Sequence, residues 1–226
     1  MSSIVVAGDT SGSVTLSAPA VAGSSVLTLP VATDTLVGKA TTDTLTNKTL
    51  GSPVISGTPT GVGVLTSGTA VASTSGTSID FTSIPSWVKC ITVMFEGVST
   101  NGSSLPVIQL GDSGGIENTG YASQGTMCGG NTYFPSSTST SSFLIADTGY
   151  SQASSTYTGS IVITNISSNT FISSSVIDMR NRVGTNPVIG LGSGSKSLSA
   201  TLDRVRITTV NGTDTFDAGS INIMYE

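Results

Sequence analysis

The sequence predicts an all-β protein, with an extended N-terminal arm of short strands followed by a C-terminal antiparallel β-sandwich of jelly-roll type. Three observations predict it. From residue 79 onward apolar and polar side chains alternate in short segments, the period of a half-buried strand. Asn101-Gly102 and Asn211-Gly212, residues that tolerate positive φ in tight hairpins, are among the turn formers that separate these segments. Ser, Thr and Gly replace charged residues, which make up 9% of the chain against an ordinary share of about 25%. Hydroxyl side chains compete for backbone hydrogen bonds and glycine is entropically costly in a helix, so this composition disfavours helices, and no long amphipathic helical pattern occurs.

The elements follow in chain order. Residues 1–50 hold short apolar patches, Val14-Thr15-Leu16 and Val26-Leu27-Thr28-Leu29 among them, too small to enclose a core, so they read as an arm that packs on something else. Asp34-Thr35-Leu36 recurs as Asp43-Thr44-Leu45, and two copies make a weak repeat. Residues 51–78, rich in Gly, Ser and Thr, read as a linker or stalk around a symmetry axis. The sandwich occupies 79–226, with strands expected at 89–97, 107–110, 159–165, 170–179, 198–202, 204–210 and 220–225. In the first of these Ile91, Val93 and Phe95 share one face, and Cys90, Thr92 and Met94 the other. Both faces are largely apolar, as in a strand covered by the core on one side and by a neighbour on the other. Val205 and Ile207, then Ile221, Ile223 and Tyr225, are expected to point inward.

At 226 residues and 22.6 kDa the chain is long enough for a real core. A net charge of -5 and a pI near 4.5 leave no basic footprint for nucleic acid. No apolar run reaches the roughly 18 residues that span a bilayer, and the first residues lack the basic and apolar regions of a secretory signal, so the expectation is a soluble protein made in a cytoplasm without membrane insertion. Cys90 and Cys128 have no metal-knuckle spacing and suggest neither a disulfide nor a metal site. So few charges on an isolated monomer pose a solubility problem, which burial between identical chains would resolve.

The chain contains no histidine, which removes the commonest general base and metal ligand. Gly111-Asp112-Ser113-Gly114-Gly115 matches the surroundings of a chymotrypsin-like nucleophile, yet Ser113 has no conventional base and the run reads as a tight loop after a strand. Asp112, Glu117, Asp147, Asp178 and Asp203 are available for glycoside hydrolysis, but their spacing supports no pair, and solvation, loop hydrogen bonds or calcium explain them better. The expectation is therefore no enzyme, no cofactor and no metal. Trp87, directly before the first long strand, reads as a core plug or interface anchor rather than a sugar platform, and with Cys90 and Met94 it marks a trimer interface or core. Tyr121, Tyr133 and Tyr150 lie among Gly, Ser and Asn and are candidate receptor contacts in loops.

Two stretches carry a resemblance. Residues 33–50, Thr33-Asp34-Thr35-Leu36-Val37-Gly38-Lys39 through Asn47-Lys48-Thr49-Leu50, preceded by Val26-Leu27-Thr28-Leu29-Pro30, resemble the N-terminal region of tailed-bacteriophage tail-fibre and virion structural proteins. Asp80-Phe81-Thr82-Ser83-Ile84-Pro85-Ser86-Trp87-Val88-Lys89, with Ile91-Thr92-Val93 and the run from Gly111 to Glu117, resembles a domain of tail-fibre proteins of marine and cyanobacterial phages. The resemblance implies a virion protein and a homotrimer, whose partners are its own copies, other tail, neck or capsid proteins, and a host-surface glycan or protein. It implies a short fibre docked by its N-terminal region. The alternatives are a capsid-decorating or neck protein and, from a different class, a polysaccharide-degrading tailspike.

Overall fold

The computed structural model of the protein describes residues 3–7, 10–17, 21, 49, 51, 65–129, 135–182 and 187–226. The chain divides into two compact units, Met1–Val54 and Ile55–Glu226. In the first, β1 (Ser3–Ala7) and β2 (Ser13–Ser17) pair as an antiparallel hairpin, with Ile4 opposite Leu16 and Val6 opposite Val14. Ile4, Val5 and Val6 are all exposed. Consecutive strand residues point to opposite faces, so this ribbon carries apolar side chains on both. Such a two-stranded ribbon is marginal by itself in water.

The described residues of the second unit are all β, with no helix. The strands are β3 (Thr66–Ser67), β4 (Val71–Ala72), β5 (Ser78–Phe81), β6 (Cys90–Thr100), β7 (Pro106–Asp112), β8 (Gly115–Ile116), β9 (Tyr121–Cys128), β10 (Ser136–Ser139), β11 (Phe143–Leu144), β12 (Thr156–Ser167), β13 (Thr170–Arg180), β14 (Val188–Ser197), β15 (Arg204–Thr209) and β16 (Phe216–Tyr225). They form two antiparallel sheets. The larger has the order β10-β9-β14-β13-β12-β6-β16-β3, with β4 also on β16, and the smaller the order β11-β7-β15-β5, with β8 on β7. Ile91, Val93 and Phe95 of β6, Ile161 and Ile163 of β12, and Ile221 and Ile223 of β16 meet Ile108, Leu110, Val205 and Ile207 of the smaller sheet in one buried cluster. The arrangement is sandwich-like, and the alternation read in β6, β15 and β16 places the expected side chains in the core, with Tyr225 half-buried at its margin.

Three expectations are corrected. Residues 198–202 form no strand, although Leu198 and Leu202 are buried. The reason lies in Ser199, whose N–H donates to Glu117 Oε1 at 2.7 Å and whose hydroxyl donates to Asp112 Oδ2 at 2.7 Å, so side chains take the place of a ladder partner. The two Asn-Gly pairs do not close hairpins: Asn101-Gly102 leads from β6 in the large sheet to β7 in the small one, and Asn211-Gly212 leads back from β15 to β16. These two corners are clasped together by Asp214, which accepts from the N–H of Ser104 at 2.9 Å and from Asn211 Nδ2 at 2.7 Å. Gly102 leaves the room, since a Cβ there would lie 2.1 Å from the Asp214 carboxylate. Finally, part of the stretch read as linker lies along β16 as β3 and β4.

Strand β14 escaped the sequence reading because its middle inward positions, between Val188 and Lys196, are Gly190, Gly192 and Gly194. A Cβ on Gly192 would sit 1.9 Å from the carbonyl oxygen of Leu144, and one on Gly125, its partner in β9, 2.1 Å from that of Ala146. The backbone of 143–146 therefore lies directly against the sheet, and Phe143, Leu144, Ile145 and Ala146 are all buried. Glycine here makes space for a crossing chain.

Candidate functional site

The outer face of the large sheet is the most distinctive surface in the second unit. Strand alternation that sends Ile91, Ile163 and Ile177 inward sends their neighbours outward. Thr126, Leu191, Val176, Ser160, Met94 and Asn222 stand in register across β9, β14, β13, β12, β6 and β16. The adjacent rows add Val162 beside Thr92 and Met224, Ile172 beside Thr164 and Cys90, and Ile189 beside Cys128 and Asp178. The charged side chains that β6, β12, β13 and β14 put on this face are few: Glu96, two positions beyond Met94, and Asp178, which is paired with Arg180 at 2.6 Å. A designed or natural soluble surface carries about 25–35% charged residues. Here Val176 is 58% exposed, Ile172 42% and Ile189 40%, in a field of Met, Cys, Thr and Ser.

Cys90 and Met94 lie on this face, half-buried, as the apolar second face of β6 leads one to expect. Cys90 and Cys128 are both free. Four strand spacings of about 4.8 Å separate them, far beyond the roughly 7 Å that a disulfide spans between Cα atoms. Trp87 is not a core plug: it keeps 39% of its surface exposed and leans on Tyr225, ring centroids 6.0 Å apart at 52°.

Of the candidate receptor tyrosines, Tyr121 is not in a loop. It opens β9, where alternation with Ser123, Gly125 and Met127 turns it into the core, and its ring meets Phe143 edge-on at 5.0 Å. Its hydroxyl accepts from the N–H of Leu110 at 2.7 Å and donates to the carbonyl of Glu117 at 3.0 Å, and burial pushes its pKa well above the ordinary phenol range. Tyr150 is half-buried against the core with the Arg182 guanidinium 5.6 Å from its ring centre. Tyr133 lies outside the described residues.

Around Tyr121 the fold gathers charge that the sequence spacing hides. Lys196 occupies an inward position of β14, only 4% exposed, paired with Glu117 and 5.4 Å from the centre of the Tyr121 ring. Ser199 bridges Glu117 to Asp112. The Ser199 hydroxyl and then the Gly114 N–H hold Asp112 below the usual carboxylate range. Burial alone would raise Glu117, but hydrogen bonds from Lys196 and Ser199 outweigh it and leave its pKa lowered. Both acids are thus held ionised, whereas glycoside hydrolysis requires one to be protonated. Ser113 sits exposed in the β7–β8 turn, where the adjacent Asp112 Oδ1 accepts from Gly114 N–H at 2.7 Å. A lysine alternating with glycines at the inward positions of residues 188–197 is the one sequence signal that could have revealed this cluster.

Among the described residues no three His, Cys, Asp or Glu side chains converge as metal ligands. No family model, curated protein or solved structure matches this chain.

Proposed function

We propose that the chain is a non-enzymatic structural component of a bacteriophage particle, a short homotrimeric appendage docked by its N-terminal unit, with the sandwich-like unit directed at a host surface. The observation that carries this reading is the sparsely charged, apolar outer face of the large sheet, where Asp178 is neutralised by Arg180 and Glu96 lies towards one end. A surface with so little like charge meets copies of itself at small electrostatic cost, and removing Val176, Ile172 and Ile189 from water favours that contact. The exposed β1–β2 ribbon supports the docking half of the reading, because a ribbon with two apolar faces is stabilised by adding to another protein's sheet. The resemblance of residues 33–50 and 80–117 to tail-fibre proteins supplies the biological setting. Light scattering after size exclusion tests the assembly. Three times the chain mass is expected for the native protein, and Val176→Glu, at an exposed position, is expected to lower the mass to that of the monomer with circular dichroism unchanged. A native protein that remains monomeric at micromolar concentration overturns the reading.

A further inference from the structure

At the margin of the second unit, where the edge strand β5 of the small sheet faces β16 and its short partners β3 and β4, a cleft of about 320 Å³ opens. That volume falls within the roughly 300–1,000 Å³ of small-molecule sites. Its apolar lining is Phe81, Ile84 and Ile223, all buried, with the exposed Val71, and its exposed rim carries the hydroxyls of Thr69, Thr82 and Ser83. Asp80 lines the cleft too, and its carboxylate accepts two hydrogen bonds from Arg206, each 2.7 Å. Tyr225 forms part of the cleft and supports the half-exposed ring of Trp87. Ser83 holds φ at 62°, the left-handed region that a serine seldom adopts.

We propose that this cleft binds a neutral saccharide. Sugars present C–H faces, which pack on aromatic and aliphatic surface, and hydroxyls, which need donors and acceptors at a rim, and the cleft offers both in that arrangement. The Asp80–Arg206 pair makes the rim nearly neutral while leaving carboxylate lone pairs free to accept from a sugar hydroxyl. An anionic ligand would meet a guanidinium already committed to Asp80. The left-handed backbone at Ser83 places a hydroxyl-bearing loop at the cleft at an energetic cost, and strain of that kind concentrates at binding sites. The inference deepens the proposed role of this unit in host-surface attachment and rests on that reading.

The sequence contains a single tryptophan, so intrinsic tryptophan emission reports on Trp87 alone. The full-length protein is titrated with methyl α-glucoside, methyl α-mannoside, methyl β-galactoside, N-acetylglucosamine and lactose into the millimolar range. At least one is expected to give a saturable change in emission. Tyr225→Ala is expected to weaken that binding about tenfold or more. The double variant Thr82→Ala, Ser83→Gly removes two rim hydroxyls without touching the core and is expected to weaken it about threefold to tenfold, with a melting temperature no lower than that of the native protein. If none of the five sugars changes the emission, or if the rim variant binds as tightly as the native protein, the saccharide site is wrong. Light scattering on the same samples separates this from the assembly: a trimer without sugar binding overturns the site alone, and a monomer that binds sugar overturns the assembly alone.

Discussion

The cluster around Lys196 shows what single side chains contribute. An ammonium that is 4% exposed must be paired, and Glu117 pairs it while keeping 21% of its own side chain in water. Breaking a buried pair costs about 3–5 kcal/mol, and partial exposure of Glu117 reduces this, so Glu117→Gln is expected to destabilise the protein by about 2 kcal/mol at pH 7, measured by urea denaturation. The pH dependence has a definite sign. Asp112 and Glu117 have folded pKa values below their ordinary 3.8 and 4.5, so their contribution is present above those values and is lost as the pH falls below them toward the folded pKa values. Glu117→Gln should flatten the acid limb of the stability curve, and an unchanged limb would show that the acid sensitivity arises elsewhere. At Ser83 the change runs the other way: glycine accepts φ 62° freely, so Ser83→Gly should raise the melting temperature slightly, by about 0.5 kcal/mol of stability net of glycine's entropy in the unfolded chain.

At the level of elements, β14 is the clearest case of structure that local pattern cannot reveal. Its glycines alternate with Leu191, Ser193 and Ser195, and a period-2 pattern whose middle inward positions, between Val188 and Lys196, carry no side chain reads as a loop. Only the crossing of 143–146 explains them. Gly192→Ala drives a methyl against a backbone oxygen that cannot move aside, and about 3 kcal/mol of destabilisation is expected. Ser193→Ala, one residue along and exposed, should stay within about 0.5 kcal/mol, so equal effects at both positions would contradict the crossing geometry. By contrast β6 and β16 were legible, because Ile91, Val93 and Phe95, and Ile221 and Ile223, recur at every second position, and β13 was legible from its β-branched residues although Ser173 and Ser175 point inward and Ile172 and Val176 outward. The corners at Asn101 and Asn211 were legible as turns but not as passages between sheets, since turn chemistry is local and sheet membership is not. Trp87 and Tyr121 exchanged expected places for a related reason: a tyrosine amid Ser and Gly looked exposed and a tryptophan before a strand looked buried, while strand parity decided the first and the loop after Ile84 the second. The Ser199 bridge joins residues more than 80 positions apart and had no sequence signature at all.

For the whole molecule, the division after Val54 and the pairing of β3 and β4 with β16 set where a stable fragment must begin. A fragment starting at residue 79 loses both short strands and the first residue of β5, leaving the edge of β16 bare. One starting at residue 65 keeps them, and it should melt cooperatively with a β-type circular dichroism spectrum at a higher temperature than the shorter one. In the proposed role, docking falls to the other unit. An exposed ribbon bearing Ile4, Val5 and Val6 gains main-chain hydrogen bonds and apolar burial only when another sheet edge receives it, and the entropy lost on association opposes that gain. A single such contact is weak. On the proposed trimer three copies would act together, and linkage of this kind raises overall affinity by roughly 100-fold to 10,000-fold over a single contact. Deleting residues 1–50 is therefore expected to leave a folded protein that no longer incorporates into particles, scored as copies per particle on purified virions. A monomeric variant such as Val176→Glu, which keeps the ribbon but loses the multivalency, should incorporate poorly as well. Normal copy number of the truncated protein would move the docking surface to residues 55–226, and the capsid-decorating role would then fit the molecule better than an appendage attached at one end.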